Sequence, residues 1–149
     1  MLTRIKEYRP GATEHGDIWT SLGLPSRGIM LIDLVHQGLS VEFVDRLADA
    51  FQIERKVLCQ SIGLSPAKMV RRKRAGRLST LESDRLCALI SVFQTVHVLF
   101  EGDVCAATVW ANSSIRGLGS KTPLEMLSTR VEKQALVDLM GRLDQGVLV

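Results

Sequence analysis

Residues 65–80 read SPAKMVRRKRAGRLST, and they contain the helix signals from which the fold is inferred. Ser65 is a good N-cap, and Pro66 suits the first position of a helix. Gly76 is a typical residue just past a helix C-terminus. This stretch therefore predicts a short helix over residues 66–75, followed at once by another helix that starts near residue 80.

The same stretch contains all of the excess positive charge of the protein. It has six Lys or Arg residues and no acidic residue, whereas the net charge of the whole chain is only +3. On a helix, Lys68, Arg71 and Arg72 fall within about 100° of one another, whereas Met69 and Val70 point inward. Arg and Lys side chains neutralise phosphates, and Arg can also fork onto guanine. We predict nucleic-acid contacts by Ser65, Lys68, Arg71, Arg72, Lys73, Arg74 and Arg77.

The helices that precede the basic one are short and closely spaced. Apolar residues at helical spacing predict helices near 29–37, 40–51 and 54–62, joined by turns that contain Gly or Ser. This is typical of a helix-turn-helix unit, and the basic helix takes the place of the recognition helix. An alternative is that the basic helix faces an acidic protein surface, in a module that binds only proteins.

The rest of the chain also reads as helical, since no strand-like alternation is present, and we predict an all-α protein. We divide it into an irregular N-terminal arm, in which Trp19, Leu22 and Leu24 contact the body, followed by three further parts. The predicted parts are the arm at 1–28, a helix-turn-helix domain at 29–78, a long helix at 79–102 and a C-terminal helical domain at 103–149.

The long helix has an apolar stripe with two interpretations. The stripe can pack into the core of its own chain, or it can form the seam of a homodimer, because two-fold proteins bind two DNA half-sites one turn apart. The candidate dimerisation residues are Leu86, Leu89, Ile90, Phe93, Val96, His97 and Phe100.

Composition and motifs exclude several classes of protein. The 149 residues include only three Cys, which are far apart and form no CxxC pair, so neither a disulfide framework nor a zinc site is predicted. No signal peptide and no apolar run of membrane-spanning length is present, which predicts a cytoplasmic protein. The common catalytic and nucleotide-binding motifs are missing, so we predict neither an enzyme nor a cofactor.

Several motifs together resemble one family. The stretches SPAKMVRR at 65–72, GRLS at 76–79 and ESDRL at 82–86 are similar to the Xre/MbcA/ParS antitoxins of bacterial RES–Xre toxin–antitoxin systems. In the second half, Trp110 and LGSKTPLEML at 118–127 resemble the toxin-binding domain of that family. The resemblance extends from about residue 28 to the end of the chain.

The resemblance implies a homodimer that represses its own operon through operator DNA and neutralises a RES-domain toxin, which degrades NAD. It implies that the C-terminal region covers the toxin's active-site cleft and that the antitoxin itself is not catalytic. The toxin-binding residues implied are Lys121, Thr122, Pro123, Leu124, Arg142, Gly146, Val147, Leu148 and Val149. The alternative is a helix-turn-helix repressor whose C-terminal domain only dimerises or senses a ligand.

Overall fold

The computed structural model describes residues 17–146, and this part of the chain is built from helices. It contains eight α-helices, two 3₁₀ turns and no β-strand, which confirms the predicted all-α class for the described residues. The α-helices are α1 (Ile18–Leu22), α2 (Ile29–Gln37), α3 (Glu42–Phe51), α4 (Arg55–Ser61), α5 (Pro66–Ala75), α6 (Thr80–Leu99), α7 (Val104–Ala111) and α8 (Arg130–Asp144). The 3₁₀ turns are Arg116–Leu118 and Pro123–Met126.

The helix starts follow from local capping chemistry. Ser65 accepts a hydrogen bond from the Lys68 amide at the start of α5, and Asp103 accepts one from the Ala106 amide at the start of α7. Helices α6 and α8 both begin with a capping box, in which an N-cap hydroxyl and a Glu three residues later bond each other's backbone amides. These caps explain why the beginnings of the helices are readable from the sequence.

Helix α6 forms the centre of the core. It packs against α1, α2, α7 and α8. Leu86, Leu89 and Ile90 are fully buried, and Phe93 stacks on Phe51 of α3 with ring centroids 4.6 Å apart. The helix therefore contacts both the N-terminal and the C-terminal elements.

Of the two interpretations of the apolar stripe, packing into the core of its own chain is confirmed, and the homodimer seam is wrong for the five buried residues of the stripe. The side chains of Leu86, Leu89, Ile90, Phe93 and Val96 are all buried within a single chain, so they cannot meet a partner. His97 and Phe100 are half-buried, and Phe100 packs against Trp110 of α7, with ring centroids 5.4 Å apart. The stripe is apolar because α6 is surrounded by helices of its own chain.

The described part of the predicted arm, residues 17–28, is more regular than expected, because residues 18–22 form α1. Asp17 caps this helix by accepting a hydrogen bond from the Trp19 amide. Trp19, Leu22 and Leu24 are buried in the core, and the Ile18 amide donates to Gln94 Oε1 of α6 at 2.7 Å. The helix is too short for its apolar periodicity to be recognised in a sequence, and tertiary burial supports it instead.

Two loops, one on each side of the α3–α5 helices, are joined to each other and to α6 by backbone hydrogen bonds. The Leu78 amide donates to the Leu39 carbonyl at 2.8 Å, and the Val41 amide donates to the Gly76 carbonyl at 3.2 Å. The Leu39 amide donates in turn to Ser83 Oγ, which is fully buried on α6. The connection between α2 and α3 is thereby fastened to the connection between α5 and α6.

Membrane-spanning potential is low within residues 17–146. No single helix there is long and apolar enough to cross a bilayer. Helices α6 and α7 reach the required length and composition only when they are taken together, and they are bent by 116° at their junction.

Candidate nucleic-acid and toxin-binding surfaces

Helix α5 presents the basic surface that the sequence predicts. It follows α4 after the four-residue turn 62–65 and runs from Pro66 to Ala75, as expected from Ser65 and Gly76. Its buried side chain is Met69. The exposed cations of this segment, called the basic face below, are Lys68, Arg71, Lys73, Arg74 and Arg77.

The inward orientation expected for Val70 is wrong. Its side chain is 54% exposed, and of the two apolar residues only Met69 reaches the core. Helix α5 contacts the rest of the protein along a narrow line that passes through Met69. Successive residues of a helix are 100° apart, so Val70 lies beside Arg71 and points away from that line. Most of the circumference of α5 is consequently accessible to a ligand.

Arg72 differs from the other cations of this segment because it pairs with a carboxylate, whereas Arg77 donates a hydrogen bond to the Gln37 backbone carbonyl at 3.4 Å. Its Nε donates to Glu82 Oε1 at 2.7 Å, and its second guanidinium nitrogen donates to Oε2 at 3.2 Å. This bidentate pair connects α5 to the first turn of α6. Arg72 therefore faces the protein, and the prediction that it belongs to the exposed wheel face with Lys68 and Arg71 is not met.

The carboxylate of Glu82 is held in its charged form. Burial by itself raises the pKa of Glu82, but hydrogen bonds from Arg72 and from the Ser79 amide outweigh this effect and lower it below the usual value. The same pairing raises the pKa of Arg72 above its usual value. Both groups are therefore charged at neutral pH, and their charges cancel locally.

An apolar groove separates α4 from the start of α5, and it was not predicted from the sequence. Its walls include Cys59, Leu64, Pro66 and Met69, and Lys56 lies on its rim. Lys56 is an exposed cation that lines this groove together with Pro66 and Met69 of α5. Lys56 is inconspicuous in the sequence because the nearby Glu54 partly offsets the positive charge of that segment.

The predicted toxin-binding residues at 121–124 have different environments. Lys121 is exposed, and Thr122 caps the second 3₁₀ turn by accepting a hydrogen bond from the Glu125 amide. Pro123 is buried and Leu124 is half-buried, so both belong mainly to the packing of this turn. The interpretation of Pro123 as contact surface is therefore wrong, whereas Lys121 is accessible.

Helix α8 presents the other predicted toxin-binding residues. Arg142 lies in its last turn and is exposed, and Gly146 follows the helix with a φ of 76°. Gly146 adopts this left-handed conformation without a steric cost because it lacks a Cβ atom. Val147, Leu148 and Val149 lie outside the described residues.

Comparison with known proteins identifies the class of this chain. The model of the antitoxin Xre-like helix-turn-helix domain family matches residues 30–91, which extend from α2 into α6. The chain is 32% identical over 146 residues to antitoxin Xre of Yersinia enterocolitica serotype O:8 / biotype 1B, covering 96% of this chain and 99% of that protein. The chain belongs to the Xre antitoxin family. It is also 29% identical over 133 residues to antitoxin Xre of Photorhabdus laumondii subsp. laumondii, covering 88% and 90% of the two chains.

The antitoxin family accounts for both halves of the structure. The matched helix-turn-helix domain contains the whole basic segment, which agrees with a DNA-binding role. The Yersinia relative matches 96% of this chain, so the match also extends over α7, α8 and the two 3₁₀ turns, and these elements are part of the antitoxin as well. The family names indicate a regulator rather than a catalyst.

Three other titratable groups of this antitoxin have pKa values that are shifted mainly by burial. Burial raises the pKa of the Cys87 thiol to about 11, with a smaller contribution from Asp84, and burial also raises the pKa of Cys59. Burial lowers the pKa of Lys133 on α8, and the nearby Arg85 lowers it further. Within residues 17–146, no cluster of His, Cys, Asp and Glu is suited to hold a metal ion.

A cavity of about 360 Å³ lies between the helix-turn-helix elements and the C-terminal elements. Its walls are formed by apolar side chains that include Phe51, Phe93, Trp110, Leu124 and Leu136. Polar side chains of Gln52, Glu54, Thr108 and Asn112 also line it. A cavity of this size and composition can hold a small organic molecule.

Proposed function

We propose that this antitoxin represses its own operon by binding operator DNA with the basic face of α5. The observation that carries this proposal is the set of five exposed cations on and just after a helix that follows α4 in a helix-turn-helix arrangement. Phosphates on both sides of a major groove would be neutralised by such a face, and Lys68 and Arg71 are one helical turn apart toward the N-terminal end.

We further propose that the C-terminal region neutralises a RES-domain toxin in the cytoplasm by covering its NAD-degrading active site. Support comes from the accessible Lys121 and Arg142, and from the apolar sequence Val147-Leu148-Val149 that follows the exposed end of α8. A cationic side chain beside apolar anchors is a common composition for the energetic centre of a protein interface.

Replacing residues 144–149 by a Gly/Ser segment of equal length is expected to abolish toxin neutralisation. The apolar anchors would be removed, whereas the basic face is on a different part of the molecule. The measurement is survival of cells that co-express the proposed RES-domain toxin, together with operator binding by fluorescence anisotropy. Operator affinity should be unchanged, and rescue of the cells by the altered antitoxin would contradict the proposed role of the C-terminus.

A homodimer is also proposed, with an interface that differs from the α6 stripe. Helix α2 exposes three large apolar side chains, Ile29, Met30 and Ile32, and Leu81 at the start of α6 is exposed near them. None of the other described helices exposes three such residues. Ile29 and Ile32 lie one turn apart on the same side of α2, and Leu81 lies beside Ile32. Because exposed apolar side chains grouped in this way are typical of an interaction site, we assign this surface to contact with a second copy of the chain.

Ile32→Glu is expected to convert the dimer into a monomer, since a charge in the centre of an apolar interface loses its hydration. Light scattering coupled to size-exclusion chromatography measures the mass. Val131→Glu is the matched control, because Val131 is the exposed apolar residue of α8 and has 79% of its surface accessible. A dimer that persists in Ile32→Glu would contradict this interface.

A second candidate function is favoured by the cavity between the two halves. A repressor whose C-terminal domain senses a ligand would place the ligand where it contacts both α3 and α7, as this cavity does. The replacement of residues 144–149 distinguishes the two functions. If the C-terminus blocks a toxin, the replacement abolishes the protection of the cells, whereas for a ligand-sensing repressor it leaves cell survival unchanged.

A further inference from the structure

We propose that Arg72 and Glu82 form a positioning clamp that holds α5 against α6, so that Arg72 supports operator recognition without contacting DNA. The inference rests on the proposed operator binding and specifies the role of one cation within it. Arg72 would act through the orientation of Lys68 and Arg71 and is therefore a positioning residue.

The geometry of Glu82 is that of a fixed anchor. The residue is only 5% exposed, and its carboxylate accepts two hydrogen bonds from Arg72 and a third from the Ser79 amide at 2.9 Å. The Glu82 amide donates back to Ser79 Oγ at 3.2 Å. The capping box already fixes the side chain of Glu82 on α6. The ion pair with Arg72 therefore restrains the position of α5 relative to α6.

Helix α5 has few other restraints from its side chains. Met69 is its one buried residue among the ten from Pro66 to Ala75. The crossing loops restrain its C-terminal end through the Gly76 carbonyl, but they do not set its rotation about its own axis. A planar bidentate contact does restrain rotation, because both guanidinium nitrogens must meet both carboxylate oxygens.

The clamp makes a prediction opposite in sign to that of simple charge attraction. Removing the Glu82 charge raises the net positive charge and releases a cation close to the proposed DNA surface. If charge alone governed binding, DNA affinity would increase. If α5 must be held in one orientation, specific operator affinity decreases while non-specific affinity stays equal or increases.

The experiment is a double-mutant cycle on full-length protein with Glu82→Gln, Arg72→Ala and the combination of both. Anisotropy with operator DNA and with scrambled DNA gives the ratio of specific to non-specific affinity. We expect each single variant to lower this ratio by about 10-fold or more, comparable to the effect of removing one base-reading side chain. The combined variant should be impaired no more than either single one, since all three break the same clamp.

Two further variants separate orientation from folding and from charge. Arg72→Lys keeps a cation that can reach Glu82, and it should recover part of the specificity that Arg72→Ala removes. Asp84→Asn removes an exposed acidic charge from the same turn of α6 without touching the clamp, so its specificity ratio should equal that of the unmodified protein. Circular dichroism melting curves verify that each variant is folded at the assay temperature.

One result would overturn the clamp: Arg72→Ala lowers operator affinity by the same factor in the Glu82→Gln variant as in the unmodified protein. Arg72 would then contact DNA itself. An increase of the specificity ratio in Glu82→Gln would also overturn it. Hydrogen exchange on the free protein provides a readout independent of DNA. Faster exchange of the α5 amides in Glu82→Gln is expected, and unchanged exchange would contradict the clamp even if the antitoxin bound no operator.

Discussion

Truncating Lys68 and Arg71 together to alanine is expected to lower operator affinity by at least about 30-fold at physiological salt. Each side chain is exposed on α5, and removing one well-placed cationic side chain costs about 1–3 kcal/mol. The dependence of the binding constant on salt should also become shallower, by about one unit of logarithmic slope for each phosphate that is no longer neutralised. Fluorescence anisotropy titrations at several salt concentrations measure both quantities.

A charge-matched control for this pair is available in the C-terminal half. Arg116 and Arg130 are also exposed, and replacing both by alanine removes the same net charge. Operator affinity should then change by no more than a few-fold, because exposed charges far from the DNA surface are screened. An equal decrease of affinity in the two double variants would mean that net charge, and not the basic face of α5, governs binding.

Gly38→Ala is expected to destabilise the antitoxin by about 3 kcal/mol, from backbone strain and a steric clash together. Gly38 has a φ of 92° and a ψ of 124°, which lie outside the conformations that side chains favour. A Cβ atom at this position would lie 2.3 Å from the Leu78 carbonyl oxygen, which is backbone and cannot rotate away. The crossing loops that connect Leu39 with Leu78 would have to separate. Urea denaturation followed by circular dichroism measures the free energy of unfolding.

Gly76→Ala isolates the strain from the clash. Gly76 also has a positive φ, 78°, but a Cβ atom there meets no atom within 4 Å. Its cost should be about 1 kcal/mol, as is usual for a side chain in the left-handed helical region. If both variants were destabilised by the same amount, the close approach of the two loops would not matter to the fold.

Local chemistry made the basic helix predictable from the sequence. Its bounds, from Pro66 to Ala75, depend on Ser65 at one end and Gly76 at the other, and these residues act on their immediate neighbours. The capping box of Ser79 and Glu82 similarly starts α6. Hydrogen bonds over three or four residues form in the same way whatever the rest of the fold is, which is why such signals are readable.

The interpretation of the α6 stripe failed for the opposite reason. Apolar spacing shows that one face of a helix is buried, but it does not show which chain buries it. Leu86, Leu89 and Ile90 would have the same pattern in a dimer seam, and only the positions of α1, α2, α7 and α8 reveal that they are covered internally. The apolar spacing of α2 likewise predicts a helix but does not show that Ile29, Met30 and Ile32 are exposed.

The chain's own sequence thus determines where the helices begin, where positive charge accumulates and which family it resembles, since these depend on neighbouring residues or on their order. The tertiary structure alone decides that Arg72 faces Glu82 instead of solvent, that Val70 points outward and that Pro123 is buried. Each of these outcomes depends on side chains brought together from different elements. Their environments follow from how the helices pack, and packing is a property of the whole fold.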